Sequence, residues 1–246
     1  MKPSTPRVAN FVGVVIVVSL GTGRVSREIC TMKAKMAVFL VLAIVILASC
    51  SGPMTPLKVS DGGIVETDNL FVALATTPGA YSMKIDDIAY LGPSGYTLWS
   101  LKGTSQTPFV SETVTVTKRS GDEWAGYGMV FCQYDTGDPL LGETMLVAMI
   151  DTHGEYIVGE ATRGSFTAFC DWTASTSLVQ GLGAANIISV VKSGSQFVLS
   201  LNGTEAYRFQ DSGTPSHDGG RSGLIAVISP DDQLPWIPVQ VDYQIQ

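Results

Sequence analysis

Residues 186–203 read NIISVVKSGSQFVLSLNG, and this stretch decides the fold. Asn186–Lys192 and Gln196–Leu201 are short runs, rich in β-branched and aromatic residues, in which apolar and polar side chains alternate. That period of two is the mark of a strand with one buried face. Ser193-Gly194 separates the runs, and Gly194 suits a turn that needs positive φ. Asn202-Gly203 closes the second run and predicts a type I′ hairpin turn, in which both central residues adopt φ > 0. Asn202-Gly203-Thr204 also spells a glycosylation acceptor, and the turn reading takes precedence.

Working outward, the same alternation is read in Glu112–Thr117, Tyr127–Tyr134, Met145–Ile150, Tyr156–Glu160, Ala206–Gln210, Leu224–Ser229 and Val239–Ile245. Asp151-Thr-His-Gly154 reads as another short hairpin loop. After Cys50 there is no helix-period segment of useful length, no internal repeat and no low-complexity tract. Short strands punctuated by turns predict an all-β, two-sheet antiparallel sandwich.

Six stretches in order carry a family likeness: GYGMVFCQYD (126–135), DTHGEYIVG (151–159), CDW (170–172), NIISVVK (186–192), QFVLSLNG (196–203) and GRSGLIAV (220–227). Their spacing resembles the concanavalin A-like, laminin-G-like jelly rolls of bacterial extracytoplasmic proteins. The likeness covers roughly Glu112 to the C-terminus, with Leu57–Ser111 expected to supply the first strands. Turn glycines and core apolar residues carry it, so it implies a jelly-roll fold and no particular activity. Such folds serve as lectins, hydrolases, adhesion modules and spacers.

The N-terminal region reads differently. Met36–Ser49 is an uncharged run behind Lys33 and Lys35, and it breaks off in LVLAIVILASCSG (40–52). Fourteen helical residues rise only about 21 Å against a hydrocarbon core of roughly 30 Å, short for a membrane span and suited to a signal peptide. Leu47-Ala48-Ser49-Cys50 resembles the lipobox of bacterial lipoprotein precursors. The resemblance implies a diacylglycerol on the Cys50 thiol and cleavage that leaves Cys50 first. From Met32 the signal is complete, so the expected organisation is an extension over 1–31, a signal peptide over 32–49, a tether over 50–57 and the sandwich over 58–246. Ser51 in place of Asp leans toward the outer membrane.

Of the 15 basic and 22 acidic residues, six and one respectively precede Cys50, so the segment from Cys50 carries nine against 21, a net charge of −12. Such acidity disfavours nucleic acid and anionic headgroups as partners and is compatible with cations, neutral sugars or basic proteins. His153 and His217 are too few for a three-histidine zinc site, and no Cys-x-x-Cys pair occurs. Cys132 and Cys170 have a compartment that permits a disulfide. Successive hairpins would set their strands too far apart for one, which favours two free thiols.

A search for chemistry returns little. The glucanases of the resembled superfamily carry E-x-D-x-E, which places carboxylates on one strand face, and that pattern is absent. Asp86-Asp87, Asp122-Glu123 and Asp231-Asp232 are adjacent pairs, read as loop residues, and no G-x-S-x-G elbow occurs. Laminin-G-like modules often hold calcium. Here Asp135, Asp138, Asp211 and Asp218 are the loop carboxylates that could supply ligands, against the ordinary account of solvated side chains. For sugar stacking, Tyr134 (if the face shared by Gly128, Val130 and Cys132 is open), Trp172 and Trp236 are the candidate platforms, weighed against core packing. The favoured function is a non-catalytic module for a glycan or protein ligand on a membrane-anchored envelope lipoprotein. A glycan-processing hydrolase or lyase, and a structural envelope component, are the alternatives.

Overall fold

A computed structural model of the chain describes residues 64–67, 69–102, 108–136, 142–211 and 216–246. The expectations for the signal peptide, Cys50, the tether and Asp138 lie outside the described residues.

The described strands are, in chain order, β1 (Ile64–Glu66), β2 (Phe71–Ala73), β3 (Ala80–Ile85), β4 (Tyr96–Lys102), β5 (Ser111–Ser120), β6 (Tyr127–Asp135), β7 (Glu143–Ile150), β8 (Glu155–Thr162), β9 (Ser165–Ala174), β10 (Ala185–Ser193), β11 (Gln196–Leu201), β12 (Thr204–Gln210), β13 (Arg221–Ile228) and β14 (Val239–Ile245). They form two seven-stranded sheets, with orders β1-β4-β13-β6-β7-β8-β9 and β12-β11-β10-β5-β14-β3-β2. Pairing is antiparallel except that β1 runs parallel to β4 at a sheet edge. The result is the all-β sandwich that the alternation predicts.

The opening stretch folds as its pattern dictates. Ile188, Val190, Phe197, Leu199 and Leu201 point into the space between the sheets and are buried. The β10 and β11 strands pair from Ile188↔Leu201 to Ser193↔Gln196. Asn202 and Gly203 hold φ of 49° and 81° at the β11–β12 turn. From the other sheet, Met129, Phe131, Leu146, Ala148, Ile150, Leu224 and Ala226 complete the main core. Two tyrosines tie the layers: Tyr243 Oη donates to the Ile225 carbonyl at 2.8 Å, and Tyr156 Oη to the Ala206 carbonyl at 2.9 Å.

Two features depart from simple alternation. The seven residues Thr144–Ile150 of β7 are all buried, because the first sheet is apolar on both faces. Trp99, Leu101, Val130, Met145, Val147, Met149, Ile157, Ala161 and Ile225 form a second buried cluster on the face turned away from the partner sheet. A strand covered on both sides has no polar face to alternate, and so Met145–Ile150 is a continuous apolar run rather than an alternating one. The other departure is a bulge in β6 between Phe131 and Tyr134, where Cys132 holds φ of 53°. A bulge inserts one unpaired residue and reverses the side-chain parity beyond it. Phe131 and Cys132 therefore both enter the main core, and Tyr134 pairs with Thr144 on the core side.

Candidate functional site

Three connections meet at one end of the sandwich and enclose a cleft of about 320 Å³, lined by Gly121, Asp122, Glu123, Trp124, His153, Asp231, Asp232, Gln233 and Ile237. They are the β5–β6, β7–β8 and β13–β14 loops, and each is fixed by local chemistry. Asp122 Oδ1 accepts the Trp124 N–H at 3.2 Å. Asp151 Oδ1 accepts the N–H groups of His153 and Glu155 at 2.9 and 2.8 Å. Aspartates that fold back on nearby backbone in this way are common turn builders.

Bonds between loops set the shape of the cleft. Asp232 Oδ1 accepts the Asp122 N–H at 2.6 Å, while Oδ2 accepts the Ser229 N–H at 2.7 Å. The Thr152 N–H and hydroxyl both donate to the Glu123 carbonyl, at 3.2 and 2.9 Å. Gly121, at φ of 105°, permits the first of these approaches, since a Cβ there would lie 2.9 Å from Asp232 Oδ1.

The walls combine rings and carboxylates. The Trp124 indole stacks on the His153 imidazole with centroids 3.5 Å apart and planes 8° from parallel, yet remains 60% exposed. Trp236, one residue before Ile237, is 85% exposed. Lys118 lies beneath, buried, and its Nζ donates to the carbonyls of Asp122 and Ala125. Burial lowers its pKa to about 8, partly opposed by the charges of Asp232, Asp122, Asp151 and Glu123. Burial raises the Asp232 carboxyl, opposed by its two backbone donors and by Lys118. Exposed aromatic faces beside hydrogen-bond acceptors are what a hydroxyl-rich ligand with an apolar face requires.

Of the aromatic residues singled out by sequence, Trp236 is the chain neighbour of the cleft-lining Ile237 and is not itself a lining residue. Tyr134 does not line the cleft: past the bulge the half-buried ring packs edge-on to His217 at 5.8 Å, with its hydroxyl donating to the Ser216 carbonyl. Burial, with nearby Asp211 and Glu160, pushes its phenol up to about 12. Trp172 is half-buried against the outward apolar cluster, and a Cβ on Gly126 would lie 3.1 Å from its ring. The backbone rows of that outward face, Leu101–Gly223–Val130–Val147–Gly159 and Trp99–Ile225–Gly128–Met149–Ile157, carry no carboxylate.

The other candidates are dispersed. Asp211 accepts the His217 N–H through Oδ2, with Oδ1 3.4 Å from His217 Nδ1. Asp218 pairs with Lys192 at 2.8 Å, and Asp135 is exposed at the end of β6. Among the described residues no group of three or more His, Cys, Asp or Glu side chains is placed to hold a metal ion. Cys132 and Cys170 are free thiols, on strands with β7 and β8 between them. Trp124 and His153 carried no sequence signal as a pair, since the 28 positions between them give no hint of stacking.

No protein-family model matches the chain. No curated protein matches it in sequence. Solved structures match in fold. A crystal structure described as a native glycosidic hydrolase aligns with a TM-score of 0.52 at 11% identity, over 78% of this chain and 86% of that one. A β-glucanase of Bacillus licheniformis aligns with a TM-score of 0.51 at 7% identity, over 79% and 89%. These neighbours are concanavalin A-like jelly rolls. At such identities the likeness speaks for the fold.

Proposed function

We propose that this chain is a lipid-anchored bacterial envelope protein whose sandwich binds a glycan, without catalysis, in the cleft at the end of the two sheets. The observation that carries this reading is the exposed indole of Trp124 beside the carboxylates of Asp122, Glu123 and Asp231 in a cleft of about 320 Å³. That volume suits one or two sugar rings, at the small end of ligand sites. Indoles stack on the apolar faces of sugars while carboxylates accept their hydroxyls. The shared fold of glycoside hydrolases is consistent with this reading.

Binding of the purified protein to a glycan array, repeated with Trp124→Ala and Trp236→Ala, tests it. Trp124→Ala should lose about tenfold or more in affinity and Trp236→Ala, outside the lining, should lose less, while both thermal midpoints move little because exposed rings contribute little to folding. Folded protein that binds no glycan would leave the structural reading in its place. For the anchor, Cys50→Ser should abolish incorporation of an alkyne fatty acid and release the protein from the membrane fraction. Fractionation should place the wild type in the outer membrane. Peptides from residues 8–24 recovered from cells would overturn the start at Met32.

A hydrolase is the second reading, favoured by the raised Asp232 carboxyl near Glu123 and Asp231. Both Asp232 oxygens are engaged by backbone donors, which leaves that carboxyl a loop fastener rather than a proton donor. Hydrolysis of any bound oligosaccharide that is lost in Glu123→Gln would reverse this preference.

A further inference from the structure

We infer that the outward face of the first sheet is a second binding site, a trough for an acyl chain whose carbonyl oxygen accepts a hydrogen bond from Gln133. It is separate from the cleft between the loops and does not depend on the glycan reading.

Every side chain of the outward apolar cluster, with Trp172 and Val227 packed against it, belongs to a strand of this one sheet. Among the described residues, then, no second layer of apolar side chains faces it. An apolar surface of that extent marks an interaction site. Its shape is a trough along β6 and β13. Gly223, Gly128 and Gly126 leave half of the floor without side chains, and Val130, Ile225 and Val227 make the rest apolar. A Cβ on Gly223 or Gly128 would run into the Ser100 or Ala148 carbonyl, so no larger residue fits there. Register places Leu101 and Trp99 of β4 along one side and Val147 and Met149 of β7 along the other. From Arg221 to Val227 the trough runs roughly 20 Å at the rise of a strand, which suits the extended tail of a long-chain lipid.

One end of the trough is polar. Gln133 shares the outward side with its register partner Arg221, because the β6 bulge sends Cys132 into the core and Tyr134 pairs with Thr144 on the core side. Gln133 is 1% exposed. Its Oε1 accepts the Arg221 Nε–H at 3.1 Å, which fixes the amide and leaves Nε2 buried without a partner. Such a donor is costly to leave unpaired, and native structures seldom do so unless a water or ligand satisfies it. A carbonyl or carboxylate oxygen at the end of an apolar chain supplies the missing acceptor, with the Arg221 guanidinium beside it. A wholly apolar partner would not, and a sugar would strand its hydroxyls over the rest of the face. Asp135 and Glu143, one pair further out along β6 and β7, have partners of their own.

The test uses the purified full-length chain carrying Cys50→Ser, so that no attached lipid competes, and follows tryptophan fluorescence, since Trp99 and Trp172 lie on this face. Palmitate and monopalmitoylglycerol present the same chain and carbonyl as a free acid and as an ester. At least one should bind, one molecule per chain, and the tighter of the two identifies the source. Gln133→Leu should weaken that binding about tenfold, the effect of losing one hydrogen bond, at an unchanged or higher thermal midpoint. The same ligand with a nitroxide at the end of its tail should quench Trp99 more than one labelled near the carbonyl, because Trp99 stands beside Ile225, further along the trough than Gln133. Trp99→Phe should remove that difference.

Folded protein that binds neither ligand would overturn the inference. Binding unchanged in Gln133→Leu, or equal quenching by the two labels, would overturn the placement of the carbonyl. A dimer in sedimentation that takes up no lipid and dissociates in Val147→Glu would give the face to a second copy of the chain and overturn the acyl site.

Discussion

The Asp232 carboxylate accepts the backbone N–H of Asp122 at 2.6 Å and so joins two loops that lie 110 positions apart in sequence. Its second oxygen holds Ser229, inside its own loop. One side chain thus fastens two walls of the cleft. Asp232→Ala leaves both N–H groups without acceptors and should cost about 2–4 kcal/mol, the range for stranding two partly buried donors. Asp232→Asn keeps one acceptor and should cost less. Urea unfolding of both variants checks the order, and equal losses would contradict the two-donor account.

Lys118 gives the protein an alkaline signature. Its pKa falls from 10.5 to about 8 in the folded chain. Below pH 8 the lysine is charged in both states, so the cost of burying that charge is fully present. Between about 8 and 10.5 the folded state has released a proton that the unfolded state still holds, so stability rises with pH across this window. The stability of the wild type relative to Lys118→Met should therefore increase by about 3 kcal/mol between pH 7.5 and 10.5. Comparing two proteins cancels the opposing effect of Cys132, whose thiol burial pushes up to about 12. Parallel curves for the two would refute the shift.

Asn202 carries more than its turn. Its Oδ1 accepts the Ile187 N–H at 2.7 Å, and its Nδ2 donates to the Ser177 carbonyl and to Asn186 Oδ1. Asn202→Ala loses these bonds and places an alanine at positive φ, and should cost about 2–4 kcal/mol. Asn202→Gly removes the backbone strain but not the lost bonds, and should fall between alanine and wild type in thermal midpoint.

Thiol mapping checks the cysteines. In the folded protein at pH 8, iodoacetamide should modify Cys170, which is half-buried, well before Cys132, which is buried. In urea without reductant both should react fully, as mass spectrometry of the peptides would show. A need for reductant would establish a disulfide.

The two sheets were legible wherever one face is buried and the other wet. In β10, β11 and β14 burial alternates as the sequence does. In β7 both faces are buried, so no periodicity marks the strand. β9 shows no alternation of burial for the opposite reason: it is a sheet edge on which most side chains are exposed. The bulge at Cys132 was invisible because nothing in GYGMVFCQYD marks which residue goes unpaired. That single insertion moved Tyr134 from a candidate sugar platform to the flank of His217.

The sequence alone determined the class of fold, the hairpin at Asn202-Gly203 and the acidity of the chain beyond Cys50. These follow from local quantities: the two-residue period of a pleat, the φ that glycine and asparagine tolerate, and a count of charges. The tertiary structure decided the site. Trp124, His153 and Asp232 belong to three separate loops, and only the stacking order of the strands carries those loops to the same end of the sandwich. Their meeting depends on distances across the fold, which no local pattern encodes.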